Sequence, residues 1–202
     1  MGDTLTEAVS RTLAKRQKIF LEDPTLTPAA VLLLMYRKDG EYCVLLNKRT
    51  HTVEHHKGEI SFPGGSQDEE DKTLLDTALR ETEEEMGIRA QDIDVLGELD
   101  DMPTSSRFLM SPYVGTIPSP YDFRPSAIEV AEVLEVPISS LLDPENVRDE
   151  AKIVDGQLDH SPTYAHRGHL IYGATARVLA RFVELLDSAP DKEAPWKTKP
   201  PR

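Results

Sequence analysis

Three glutamates that could bind a metal ion, Glu81, Glu84 and Glu85, lie at positions i, i+3 and i+4 of one segment. On an α-helix such residues share one face. Like charges at this spacing repel each other and weaken a helix by about 0.2–0.5 kcal/mol per pair. The cluster is therefore either a solvated face or a site for a hard cation, and carboxylate oxygens suit Mg²⁺ or Mn²⁺, which usually accompany phosphates.

The segment that contains these glutamates resembles the Nudix box, G-x5-E-x7-R-E-U-x-E-E-x-G-U, where U is a bulky apolar residue. The residues that match its second half are Arg80, Glu81, Glu84, Glu85, Gly87 and Ile88. Thr82 occupies the first U position, and the spacing from glycine to arginine is one residue too long. Asp71 lies near the position of the first glutamate.

The longer spacing is itself typical of the Nudix proteins that cleave coenzyme A. Their pattern F-P-G-G-x-x-D-x-x-D is reproduced from Phe62 to Asp71. Their upstream pattern, L-L-T-x-R-[ST]-x3-R-x3-G, is matched from Leu45 to Gly58 except at two positions. Asn47 replaces the threonine, and Glu54 replaces the second arginine and so reverses a charge.

Further segments of the chain are similar to the same family. Residues 104–112 resemble T-x-S-G-F-x-V-T-P, with Arg107 in place of the glycine. Residues 129–137 resemble E-V-A-E-V-x-x-V-P, and residues 171–176 resemble I-W-G-x-T-A. The resemblance covers roughly residues 28 to 186, and several motifs in order are more specific than any single one.

The resemblance implies a role for each candidate site residue. Glu81 and Glu85 would be the principal metal ligands, assisted by Glu84 and by the Gly65 carbonyl. Glu84 or Glu129 would be the general base, and Arg80 would belong to the catalytic set by holding the loop and the glutamates. The candidate substrate contacts are Arg49, His56, Lys57, Thr104 and Arg107. Each of these five could instead be a surface or loop residue.

The implied reaction is the Mg²⁺- or Mn²⁺-dependent hydrolysis of coenzyme A, or a derivative, to 3′,5′-ADP and 4′-phosphopantetheine. Two alternatives stay open. Glu54 and Pro103 leave room for another substrate such as ADP-ribose or NADH. A Nudix fold kept for ligand sensing is the non-catalytic alternative, although such proteins usually lose box glutamates that this chain retains.

Composition excludes several other classes of protein. The chain has 202 residues and a formal net charge of −13, and nine acidic residues lie between Ser66 and Glu85. Such acidity argues against extended nucleic-acid binding. The longest apolar run, residues 29–35, is too short to span a membrane, and no signal peptide is evident. We therefore expect a cytoplasmic protein whose partner is a small nucleotide-like substrate; a homodimer is expected only from the family resemblance.

The hydrophobic pattern predicts the elements that position these residues. Helices are predicted over residues 4–21, 72–86 and 169–186, and strands over residues 29–36, 42–46, 60–62, 93–99, 109–117 and 128–136, with a further hairpin as one interpretation of 143–159. The predicted buried stripe of the middle helix consists of Leu74, Leu75, Ala78, Leu79, Thr82 and Met86. We expect an N-terminal helix and linker (1–27), a Nudix domain (28–187) and a disordered tail (188–202). The alternation predicts an α/β fold with a mixed sheet, which the resemblance sharpens to an α/β/α sandwich.

Overall fold

The structure, a computed structural model, describes residues 4–52, 56–154 and 157–188. Its helices are α1 (Thr4–Lys15), α2 (Leu74–Met86), α3 (Ile138–Leu141) and α4 (Gly173–Ser188). Its strands are β1 (Thr27–Lys38), β2 (Glu41–Arg49), β3 (Ile60–Ser61), β4 (Gly64–Ser66), β5 (Asp94–Glu98), β6 (Met102–Pro103), β7 (Phe108–Thr116), β8 (Val130–Pro137), β9 (Val147–Val154), β10 (Gln157–His166) and β11 (His169–Ile171).

The main sheet is mixed and is built around β1. Its central order is β3-β2-β1-β7-β5, with β4 paired to β1, β6 to β7 and β8 to β2. The predicted hairpin is confirmed, since β1 and β2 pair antiparallel. Strand β7 instead lies parallel to β1, with Thr27 opposite Phe108. A second sheet, in the order β11-β10-β9, contains the hairpin predicted as one interpretation of residues 143–159.

Strand β1 is buried on both faces, because helices cover the sheet on both sides. Leu33 and Met35 belong to one core, which α1 and α4 complete. Leu32 and Leu34 point into the opposite core, which α2 covers. This alternation follows from the two-residue period of a strand. The predicted mixed sheet in an α/β/α sandwich is confirmed.

Helix α2 has a defined end at each terminus. The Thr73 side chain and Asp76 form a reciprocal capping box at its start. Gly87 ends it in the left-handed conformation, with φ 68°. The helix thus starts at residue 74 rather than at 72. Its predicted stripe is only partly right: Ala78, Thr82 and Met86 are buried, the three leucines are half-buried, and the buried Thr77 and Glu85 were not predicted.

Two predicted helices have wrong boundaries. Helix α1 ends at Lys15, because polar groups of residues 98–101 take over the hydrogen bonds of the following segment: Asp100, for example, accepts from the Ile19 N–H at 2.8 Å. Phe20, an apolar residue within the predicted helix 4–21, is 71% exposed. Residues 169–171 form strand β11 against β10 rather than the start of the last helix.

Two further sequence-based expectations concern the ends of the chain and the presence of a helix that could span a membrane. Except for Ser188, the predicted disordered tail lies outside the described residues. Helix α1 contributes Leu5, Val9 and Leu13 to the same core as α4. Among the described residues, no helix combines the length and the apolar character needed to cross a bilayer.

Candidate metal centre

The candidate glutamates lie where α2 passes the short strand β4 and the end of β2. Strand β4 pairs with β1, which places Gly65 opposite Ala30. The Pro63 carbonyl accepts from the Leu32 N–H at 2.9 Å, so the turn that precedes Gly64 is fixed to the central strand. Residues from three other parts of the sequence lie near the glutamates of α2: Arg49 contacts Glu85, Gly65 contacts Glu81, and the charge of Glu129 acts on Glu81.

Glu85 is the most deeply buried acid of this site, with 2% of its surface exposed. Asn47 Nδ2 donates to its Oε2 at 2.8 Å, and the Gly64 N–H donates to the same oxygen at 3.3 Å. Arg49 Nη1 donates to Oε1 at 3.2 Å. Burial nevertheless raises the pKa of Glu85 to about 7, and the nearby charge of Glu81 adds to this effect. The hydrogen bonds only partly offset the cost of burying the charge.

Glu81 lies one turn before Glu85 and faces Gly65. A Cβ atom on Gly65 would lie 2.6 Å from the Glu81 carboxyl carbon, so only glycine fits here without a shift. Burial raises the pKa of Glu81, and the charges of Glu84 and Glu129 act in the same direction. The close approach of Gly65 therefore brings the β4 backbone against a carboxylate that is already crowded by negative charge.

Arg80 joins α2 to the preceding loop. Its Nη2 donates to Asp71 at 2.9 Å and to the Ser66 carbonyl at 3.3 Å. Its Nη1 donates to Glu81 at 2.8 Å and to Glu84 at 3.2 Å. The hydrogen bonds from Arg80 hold the pKa of Asp71 well below its usual range. Arg80 thus makes the loop and glutamate contacts that the resemblance implied for it.

The two candidate bases differ in their surroundings. The Glu84 side chain is 57% exposed and is bonded to Arg80. Glu129 is half-buried, and its carbonyl accepts from the Thr50 N–H at 2.8 Å. The Ser126 N–H donates to the backbone carbonyl of Glu85 at 2.8 Å, which fixes the loop leading to Glu129 alongside the end of α2.

The predicted substrate contacts do not all lie at this site. Arg49 does, through its bond to Glu85. His56 Nδ1 is bonded to Glu59 at 2.9 Å, and Lys57 is exposed. Thr104 bonds within its own loop, and Arg107 donates to the Thr25 carbonyl at 3.2 Å. Glu54 lies outside the described residues.

The donor set at the site fits a hard divalent cation. Within the described residues, no three acidic, histidine or cysteine side chains already converge on one point. Arg80 and Arg49 instead provide the positive charge that the glutamates face. A buried carboxylate with a raised pKa, a second carboxylate one turn away and a glycine backbone packed closely against the second carboxylate are oxygen-rich surroundings suited to Mg²⁺ or Mn²⁺.

Asn47 and Ser61 are site residues that sequence reasoning missed. The sequence marks Asn47 only as a departure from the resembled pattern. Ser61 Oγ donates to Asn47 Oδ1 at 2.7 Å, and Asn47 in turn reaches Glu85. Asn47 directly follows the apolar run of residues 42–46 and precedes Lys48 and Arg49, so the sequence pattern gives no signal that it is buried.

The chain is similar in sequence to known proteins. The family model described as NUDIX domain matches residues 26–155. A protein of Photorhabdus laumondii, described as the uncharacterized Nudix hydrolase NudL, is 36% identical over 156 residues, which is 77% of this chain and 83% of that protein. Its namesake from Yersinia enterocolitica is 32% identical over 184 residues, covering 91% and 93% of the two chains.

Solved structures with the same fold were also found. The Nudix hydrolase RenU from M. smegmatis matches with a TM-score of 0.55 and 21% identity, over 83% of this chain and 90% of that one. A MutT/nudix family protein from Enterococcus faecalis matches with a TM-score of 0.53 and 16% identity, over 98% and 79%. At this identity the likeness extends to the fold alone.

Proposed function

Because this chain belongs to the Nudix hydrolase family, we propose that its substrate is coenzyme A or one of its derivatives. The products would be 3′,5′-ADP and 4′-phosphopantetheine, and the cofactor would be Mg²⁺ or Mn²⁺. A small nucleotide partner, a homodimeric assembly and a cytoplasmic location belong to the same proposal.

The observation that carries the metal dependence is the buried carboxylate of Glu85 beside Glu81. Burial raises the pKa of both groups; the charge of Glu81 adds to the rise at Glu85, and the charges of Glu84 and Glu129 add to the rise at Glu81. A divalent cation would relieve this repulsion, with Glu81 and Glu85 as its principal ligands and with Glu84 and the Gly65 carbonyl as further ones. Such a cation polarises the pyrophosphate and makes the attacking water more acidic.

The remaining residues of the site divide the work of the reaction. Glu129 is our choice of general base, because Arg80 already bonds Glu84. The carboxylate of Glu129 would take a proton from the attacking water. The oxygen of that water would form a bond to one phosphorus while the bridging P–O bond breaks. Arg80 would keep Glu81 and the loop at residues 66–71 in place.

The choice of coenzyme A rests on the upstream pattern and on Arg49. Arg49 belongs to that pattern and reaches the site through Glu85. Within the described residues, its Nε donor has no hydrogen-bond partner. Because that nitrogen is buried, it is not itself a contact for the substrate; the partly exposed side chain as a whole would meet a phosphate, a group that arginine suits. His56, Lys57, Thr104 and Arg107 would supply contacts farther from the glutamates.

The proposal is tested by hydrolysis of a panel of substrates: coenzyme A, 3′-dephospho-coenzyme A, ADP-ribose, NADH and a nucleoside triphosphate. Each is incubated with Mg²⁺ or Mn²⁺, and with EDTA as the control. We expect metal-dependent release of 3′,5′-ADP from coenzyme A in preference to the other reactions. Faster cleavage of ADP-ribose or NADH would overturn the choice of substrate, and no cleavage of any pyrophosphate would favour ligand sensing.

A further inference from the structure

A buried chain of hydrogen bonds runs from β3 through β2 to the glutamate helix. Ser61 and Asn47 are cross-strand neighbours in the pairing of β3 with β2. Ser61 Oγ donates to Asn47 Oδ1 at 2.7 Å, and Asn47 Nδ2 donates to Glu85 Oε2 at 2.8 Å. Asn47 is 1% exposed, so its amide makes these bonds away from competing water.

The direction of this chain is fixed by chemistry. Glu85 Oε2 also accepts from the Gly64 N–H, and in the ionised form that would bind a metal the carboxylate has no proton to donate. The amide must therefore turn its NH₂ toward Glu85 and its oxygen toward Ser61. Ser61 Oγ donates to the amide oxygen and so fixes the side chain in this orientation, which the carboxylate selects because a hydroxyl can donate or accept. Reversing the amide would place two acceptors, Oδ1 and the Glu85 carboxylate, against each other.

The contact restricts how the Glu85 carboxylate can rotate. Its Oε2 is held by Asn47 and by the Gly64 N–H, which are parts of two strands of the sheet. Among the described residues, Oε1 accepts one hydrogen bond, from Arg49, whose side chain is partly exposed. One carboxylate oxygen is thus fixed by the rigid interior of the fold, and the other faces a long side chain that can move.

We propose that Asn47, oriented by Ser61, is a positioning residue that presents Glu85 to the metal ion. This inference rests on the proposed function. It also gives a meaning to the replacement of threonine by asparagine in the resembled pattern: asparagine joins Glu85 to Ser61 across the sheet. A residue that hydrogen-bonds a metal ligand in this way typically contributes a factor of about 10–100 to metal affinity or activity.

The test measures binding of Mn²⁺ alone by electron paramagnetic resonance, with kcat and KM for the substrate identified by the panel. For Asn47→Leu we expect roughly 10–100-fold weaker Mn²⁺ binding and a lower kcat, with KM changed much less. Asn47→Thr, which restores a hydroxyl donor, should recover part of the loss. Ser61→Ala should show a smaller loss in the same direction, and it decides the test if Asn47→Leu does not fold.

The matched control is Thr175→Val. Thr175 donates to the Ile60 carbonyl at 3.0 Å, so the variant removes a buried hydrogen bond to the same strand without touching Glu85. It should keep the wild-type Mn²⁺ affinity. Equal losses in Thr175→Val and Asn47→Leu, or unchanged binding and kcat in Asn47→Leu, would overturn this inference alone. Wild-type protein that binds no Mn²⁺ and cleaves no pyrophosphate would overturn the proposed function as well.

Discussion

Two carboxylate–arginine pairs involve helix α2, and the pKa of the acid is lowered in one pair and raised in the other. Arg80 holds Asp71 with several hydrogen bonds, and the pKa of Asp71 is lowered. Arg49 reaches Glu85 through one nitrogen at 3.2 Å, and burial raises the pKa of Glu85 to about 7. The charged acid is therefore favoured in the Asp71–Arg80 pair, whereas in the Arg49–Glu85 pair the effect of burial exceeds that of the arginine.

We interpret the Asp71–Arg80 pair as a structural contact and the Arg49–Glu85 pair as part of the proposed metal site. The Asp71–Arg80 pair lies at the surface end of the loop and ties residues 68–71 to the helix. The Glu85 pair leaves negative charge in the interior that is only partly compensated. A protein retains such a group where a bound ligand offsets its cost, and a divalent cation is the ligand that we propose.

The largest effect should come from neutralising the functional pair. Glu85→Gln removes a charge that would bind the metal, so we expect kcat/KM to fall roughly 10²–10³-fold, or about 3–4 kcal/mol of transition-state stabilisation. Glu83→Gln changes an exposed acid of the same helix and is the matched control. Similar activity of Glu85→Gln and Glu83→Gln would remove the functional side of the comparison.

A smaller effect, on folding, is expected for the structural pair. Asp71→Asn should lower the free energy of unfolding by about 2 kcal/mol at pH 7, because charge-assisted hydrogen bonds to Arg80 are lost. Since the pKa of Asp71 is lowered in the fold, its contribution is complete above the unfolded value near 4 and is lost progressively as the pH falls from there through the lowered value of the folded state.

Urea unfolding of Asp71→Asn at pH 7 and at pH 3 measures this contribution. The difference from wild type should shrink at the lower pH. Glu70→Gln, an exposed acid in the same loop, is the control. A difference that stays constant with pH would mean that the Asp71 charge does not stabilise the fold.

The smallest effect is again on folding stability, but its pH dependence is opposite to that of Asp71: the Glu85 contribution falls as the pH rises. In metal-free protein the fold binds the proton of Glu85 more tightly than the unfolded chain does, because its pKa is about 7 rather than 4.5. The stability contribution of Glu85 therefore falls as the pH rises through this range. We expect the stability of Glu85→Gln relative to wild type to increase by on the order of 1 kcal/mol between pH 5 and pH 8. Urea unfolding in EDTA checks this, and a decrease would contradict it.

Much of the fold could be predicted because its strands and helices have clear periodicity. The β1–β2 hairpin, helix α2 and the sandwich follow from apolar runs, turn residues and the box resemblance. The end of α1 could not be predicted, because it depends on carboxylates such as Asp100, some eighty residues away in sequence. Strand β11 was missed for a similar reason, since pairing with β10 overrides the local pattern of residues 169–171.

The site, like the fold, has features that local sequence patterns predict and features that depend on distant contacts. The glutamates of α2 and Gly65 were found because their spacing is itself a signal. The burial of Glu85 and its contact with Asn47 were not, because that contact joins β2 to α2 across 38 residues of sequence. The roles of the individual site residues remain predictions for the experiments above.

The parallel pairing of β1 with β7 has a consequence for how the protein folds. The two strands meet between residues 81 positions apart, such as Met35 and Thr116, and the glutamate helix lies in the intervening segment. Closing so long a segment is entropically costly and slow. The site should therefore be assembled late, and a chain still emerging from the ribosome would hold its acidic helix without the strand that completes the sheet beneath it.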